Sequence, residues 1–140
     1  MTGMDASHIH QIEAEDAWNI LAIDHGAALV DVRREAEVEE EGQPDLDELN
    51  RTVWHIEWRC DRLPSIKAHF VVQIEEALDA KSATHLIFYC NDGRRALSAA
   101  SIVAGAFEKA ERKIDISCIV AVADKMGDCW KTACLPWRHP

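Results

Sequence analysis

The 140-residue chain has no apolar run long enough to cross a bilayer as a helix. Its five cysteines (Cys60, Cys90, Cys118, Cys129 and Cys134) include no C-x-x-C pair. An odd count without that spacing argues for free thiols in a reducing compartment rather than a disulfide framework. Positive charge is scarce, with 15 Lys and Arg against 25 Asp and Glu and a formal net charge of −10. That balance disfavours nonspecific binding to nucleic acid or to an anionic membrane. There is no internal repeat, linker or low-complexity tract. The Met1–His8 stretch lacks the basic and apolar regions of a signal peptide, so the expected location is cytoplasmic.

What is present suits one globular domain spanning 1–140. Hydrophobic residues make up 48%, and domains of this size bury about two-thirds of their chain surface. The pattern predicts strands over 9–12, 28–32, 52–58 and 84–89, with a last strand over 114–122. Val53 and Ile56 are the expected core of the third. Helices are predicted over 13–23, with Ala14, Ala17, Trp18 and Leu21 on one face, and over 34–41. Two more follow, from Pro64 to about Ala80 with Ile66, Phe70, Ile74 and Leu78 at helical spacing, and from Arg95 to about Lys109. Gly42-Gln43-Pro44 is a turn signal. The glutamates of 35–41 are expected to form a solvated face. Strands alternating with helices imply an α/β fold, with a parallel sheet covered on both sides.

The most informative stretch is Leu86-Ile87-Phe88-Tyr89-Cys90-Asn91-Asp92-Gly93-Arg94-Arg95. A buried strand runs into a cysteine, then a short polar loop, then a helix. The thiol therefore stands at the C-terminal edge of a sheet, where open α/β folds bind ligands. It also stands at a helix N-terminus, whose unpaired N–H groups and dipole favour an anion. Such surroundings lower a thiol's pKa. A buried structural cysteine would not need a glycine and two arginines directly behind it. The pattern points to nucleophilic catalysis by Cys90.

Three segments carry a resemblance to the rhodanese homology domain, and it covers nearly the whole chain. Leu29-Val30-Asp31-Val32-Arg33 is similar to the family's apolar-Asp-x-Arg strand end. Cys90 to Arg95 is similar to its six-residue active-site loop. Gly127, Trp130-Lys131 and Leu135-Pro136 are similar to its C-terminal ending. The resemblance implies a three-layer fold with a five-stranded parallel sheet and helices on both faces. It implies a sulfurtransferase that moves a sulfane sulfur from a donor such as thiosulfate to a thiophilic acceptor through a persulfide on Cys90. Carried over, backbone N–H groups of Asn91, Asp92, Gly93, Arg94 and Arg95 cradle the persulfide and bind the donor. Arg95 closes the loop, and Asp31 and Arg33 sit behind the site and brace it. No metal or organic cofactor is implied.

Rivals remain open. A phosphatase or arsenate reductase of the same fold has its arginine one residue later, where this chain has Ala96. A persulfide relay acting only with a partner protein is another reading, and redox sensing by Cys90 a third. The loop departs from the usual pattern at Asn91, Asp92 and Ala96. An inward-facing Asp92 would raise the Cys90 pKa and oppose thiosulfate. Cys134 stands where the related ending has Gly. The seven histidines are scattered and suggest no metal site. Trp54, Trp58, Trp130 and Trp137 are read as core or rim packing, with the alternative that one or two line the mouth of the site.

Overall fold

The computed structural model describes residues 9–59, 64–121 and 127–140. The elements are β1 (His10–Ile12), α1 (Ala14–Ile23), β2 (Ala27–Asp31), α2 (Glu35–Glu41), β3 (Gln43–Pro44) and β4 (Trp54–His55). They continue with α3 (Pro64–Lys81), β5 (His85–Tyr89), α4 (Arg94–Lys109), β6 (Asp115–Ile119), α5 (Cys129–Thr132) and β7 (Trp137–Arg138). Five strands form a parallel sheet in the order β1-β6-β5-β2-β4. β5 lies at its centre, with Ile87 opposite Leu29 of β2 and Ser117 of β6.

The central strands are mostly apolar because both faces are covered, with Asp31 and Ser117 the buried polar exceptions among them. Alternation divides their side chains between two cores. Leu86, Phe88 and Cys90 face α3 and α4, against Phe70, Ile74, Ala99 and Val103. Ile87 and Tyr89 face the other way, toward Ala17 and Leu21 of α1 and toward Trp130. Small residues on α4 (Ala96, Ala99 and Ala100, all fully buried) give the helix a smooth face against the sheet. Among the described residues, no helix is long and apolar enough to cross a membrane.

Two expectations are corrected. The 52–58 stretch pairs over only two residues, and the buried side chains are Trp54 and Trp58 rather than Val53 and Ile56. Beyond His55 the chain still follows β2, with Ile56 N–H on Asp31 O (3.0 Å) and Trp58 N–H on Val32 O (2.9 Å). The strand at 115–119 is not the last. β7 pairs antiparallel with β3, Trp137 opposite Pro44. Gly42 ends α2 at φ +90°, where a Cβ would collide with the Arg138 carbonyl. Residues 60–63, including Cys60, and 122–126 lie outside the described residues.

Candidate active site

Cys90 is the first residue after β5, and its side chain is fully buried. Two backbone N–H groups converge on its sulfur, from Gly93 at 3.1 Å and Ala96 at 3.3 Å. Both belong to the turn that opens α4. Gly93 is the N-cap, at φ +87°, and has no side chain of its own to accept from the first turn. The orphan donors of a helix start therefore turn toward the sulfur. A Cβ on Gly93 would lie 3.0 Å from Ile119 O, because the loop passes tightly over the end of β6. Position 93 thus needs glycine for conformation and for space.

The expected lowering of the Cys90 pKa is not what the structure supports. Burial pushes the thiol up. Donation from Ala96, Gly93 and Arg95 N–H pulls it down, and the Asp92 carboxylate pushes it up again. Burial is the largest of these and the net direction is upward. Its sulfur contacts Asp92 Oδ1 at 3.6 Å. The same oxygen accepts the Arg94 N–H at 2.9 Å, which takes that donor out of the cradle. Asp92 faces the sulfur, and the Arg94 side chain is exposed.

Arg95 closes the loop through partners that the sequence did not reveal. Its guanidinium grips Glu37 of α2 with Nη1–Oε1 at 2.5 Å and Nη2–Oε2 at 2.9 Å, and Nη2 reaches Asn91 Oδ1 at 3.4 Å. Glu37 is therefore not part of a solvated acidic face. Its hydrogen bond with Arg95 holds its carboxyl down to about 2. One Glu37 oxygen also accepts the Arg34 N–H, capping α2.

Asp31 and Arg33 are fully buried and paired. Asp31 accepts the Arg33 main-chain N–H (3.0 Å) and its guanidinium (Nε at 3.0 Å, Nη2 at 2.8 Å). Nη2 also donates to Gly42 O at 2.9 Å. The guanidinium lies 5.2 Å from the Tyr89 ring centroid and 5.4 Å from that of Trp137. Arg33 Nη1 has no hydrogen-bond partner among the described residues, and Glu41 Oε1 lies 3.8 Å from it.

The segment containing α5 docks on the loop. Cys129 donates its N–H to Asn91 O (2.9 Å), and its Sγ lies 3.3 Å from Cys90 O. Asp128 caps α5 by accepting the N–H groups of Trp130 (2.8 Å) and Lys131 (3.2 Å), and it takes the Tyr89 hydroxyl at 2.5 Å. Asp128 is the residue here that a sequence signal could have found, as a helix-capping aspartate just before Trp130. Burial raises the thiols of Cys118, to about 12, and Cys129. Cys134 is exposed and left-handed, at φ +59°.

A cleft of about 390 Å³ opens beside the loop, lined by Glu41, Asn91, Asp92, Gly127, Asp128 and Lys131. None of the four tryptophans expected at the core, rim or mouth lines it; Trp130 is fully buried beneath it. Three larger clefts, of about 480, 460 and 450 Å³, contain no residue of the 90–96 loop. No His, Cys, Asp and Glu side chains gather into a metal-binding group among the described residues.

No protein-family model matches the chain. Uncharacterized protein RP600 of Rickettsia prowazekii (strain Madrid E) is 28% identical over 130 residues, covering 93% of this chain and 98% of that protein. The crystal structure of Rv0390 from M. tuberculosis superposes with a TM-score of 0.72 at 26% identity, covering 96% of this chain and 100% of its own. The solution structure of the 30 kDa polysulfide-sulfur transferase homodimer from Wolinella succinogenes gives a TM-score of 0.58 at 19% identity, covering 94% and 79%. The fold is rhodanese-like. At 19% identity the last likeness carries the architecture and nothing finer. In this rhodanese-like framework, Cys90 occupies the C-terminal edge of the central strand, where α2, α4 and α5 meet.

Proposed function

We propose that the protein is a sulfurtransferase in which Cys90 carries a sulfane sulfur as a persulfide. The observation that carries this reading is the convergence of the Gly93 and Ala96 N–H groups on the Cys90 sulfur. A persulfide is anionic, and a nest of backbone donors stabilises that charge without a counter-ion that would travel with it. The rhodanese-like architecture is independent support. Attack on a sulfane sulfur requires the Cys90 proton to leave, and the same N–H groups then receive the thiolate.

Loop length favours sulfur over phosphate. The arginine closing the turn is Arg95, and the next residue, Ala96, brings only its N–H to the sulfur. A longer loop ending in arginine at that place would suit a tetrahedral oxyanion. The donor belongs to the class of sulfane-sulfur compounds, of which thiosulfate is the simplest probe, and the acceptor is a thiophilic nucleophile.

The test is an intact mass spectrum of the reduced protein after brief incubation with thiosulfate or an organic persulfide, beside Cys90→Ser. The expected result is a gain of one sulfur atom by the wild type alone, reversed by cyanide. The same gain in a folded Cys90→Ser protein overturns the assignment.

A further inference from the structure

Of the described side chains, only Asp92 brings a charge into contact with the Cys90 sulfur. The other ionic groups nearby are engaged elsewhere. Arg95 is held by Glu37, and Asp128 by the Tyr89 hydroxyl and the start of α5. Glu41 lies 3.8 Å from the buried Arg33 guanidinium. The Lys131 ammonium sits over the Trp137 ring, 4.5 Å from its centroid. The cleft beside the loop therefore presents three carboxylates and one ammonium. Asp92 belongs both to the cleft wall and to the sulfur's surroundings. A donor entering along this wall meets negative charge beside the atom it must approach.

We infer that Asp92 selects the sulfur donor by charge, favouring a persulfide of an aminothiol, with its ammonium close to the sulfane sulfur, over the dianion thiosulfate. The inference rests on the sulfur-transfer reading and names the donor class for it. In the step, a bond forms between Cys90 Sγ and the terminal sulfur of R–S–SH while the donor's S–S bond breaks. The Cys90 thiol proton ends on the departing thiol sulfur, giving R–SH and a Cys90 persulfide with no net oxidation or reduction. The ammonium pairs with Asp92 during the approach. Asp92 is exposed and the sulfur beside it buried; unit charges about 4 Å apart at such a surface shift an encounter by roughly tenfold, toward the cation and away from the dianion.

The experiment loads wild type and Asp92→Asn with three probes: cysteamine persulfide, N-acetylcysteamine persulfide, which lacks the ammonium, and thiosulfate. The rate of sulfur gain on Cys90 is read by mass. The amide keeps an oxygen to accept the Arg94 N–H, and Asp92→Ser serves as a second variant, with circular dichroism confirming that each is folded. The wild type is expected to load at least about tenfold faster from cysteamine persulfide than from its acetylated analogue, with the difference shrinking at high salt. Asp92→Asn is expected to lose that preference and to load from thiosulfate about tenfold faster than the wild type. A wild type that loads without the preference, or a preference kept in both variants, overturns the inference and leaves sulfur transfer standing. A folded wild type that loads from none of the three overturns both.

Discussion

At position 93 two demands coincide. The backbone is at φ +87°, and the space a Cβ would fill is bounded by Ile119 O at 3.0 Å. Gly93→Ala is expected to cost about 1–3 kcal/mol from the left-handed conformation and the contact together. It also moves an N–H that points at the sulfur, so loading of Cys90 should fall with stability. Urea unfolding measures the first effect and mass-detected loading the second. At Cys90 itself, burial outweighs the donated N–H groups and lifts the thiol above its reference value of 9.0. The thiolate fraction near neutrality is then small. Alkylation of Cys90 by iodoacetamide, followed residue by residue, is expected to be slower at pH 7 than that of a free thiol and to climb steadily beyond pH 9. A midpoint below about 8.5 would contradict the balance described.

The short helix α2 governs the loop from outside it. Glu37 and Arg95, 58 residues apart, form a two-pronged ion pair with both side chains about three-quarters covered. The Glu37 carboxyl is held at about 2, against an ordinary 4.5. Because the folded-state value is depressed, this stabilisation is complete above about pH 4.5 and drains away as pH falls toward 2. Discounted for partial exposure, it is worth about 1–2 kcal/mol at neutral pH. Glu37→Gln is expected to lower neutral-pH stability by that amount and to flatten the acid limb of the stability curve, as followed by thermal melts from pH 7 to 3. The pair also shows what the sequence conceals. Strand, cysteine, glycine and helix follow one another between 85 and 109, so period and order suffice to read them. The glutamates of α2 look alike in sequence, and only the way that helix crosses the sheet edge separates Glu37 from its neighbours. Likewise β3 and β7 are two residues each, too short to show any period. Trp54 and Trp58 are buried where Val53 and Ile56 were expected: the chain runs on beside β2 past His55 and carries the two indoles into the core with Phe70, while Val53 and Ile56 stay only partly covered. The donors around Cys90 follow from its place before a helix, but the burial that outweighs them is a property of the packed whole.

Across the whole molecule, the C-terminal residues return to the segment that follows β2. Trp137 pairs through β7 with Pro44, donates its indole N–H to Glu41 O (2.9 Å), and, like Tyr89, packs its ring against the buried Arg33 guanidinium. Removing the ring leaves a buried cation with one aromatic neighbour fewer and unpins the tail. Trp137→Ala is therefore expected to cost about 2–3 kcal/mol, less than a full core tryptophan because the ring is half-buried. A lowered melting temperature and faster proteolysis of the tail would register it; an unchanged melting temperature would argue against this role for the ring. The sheet that results buries its chemistry at one edge. Cys90 has no exposed surface, and the consequence is temporal. On the sulfur-transfer reading, a donor would reach a sulfur that presents no surface only after the atoms covering it shift. Loading rates would then be expected to level off as donor concentration rises, at the frequency of that shift, and a rate that keeps rising in proportion to donor would argue against it.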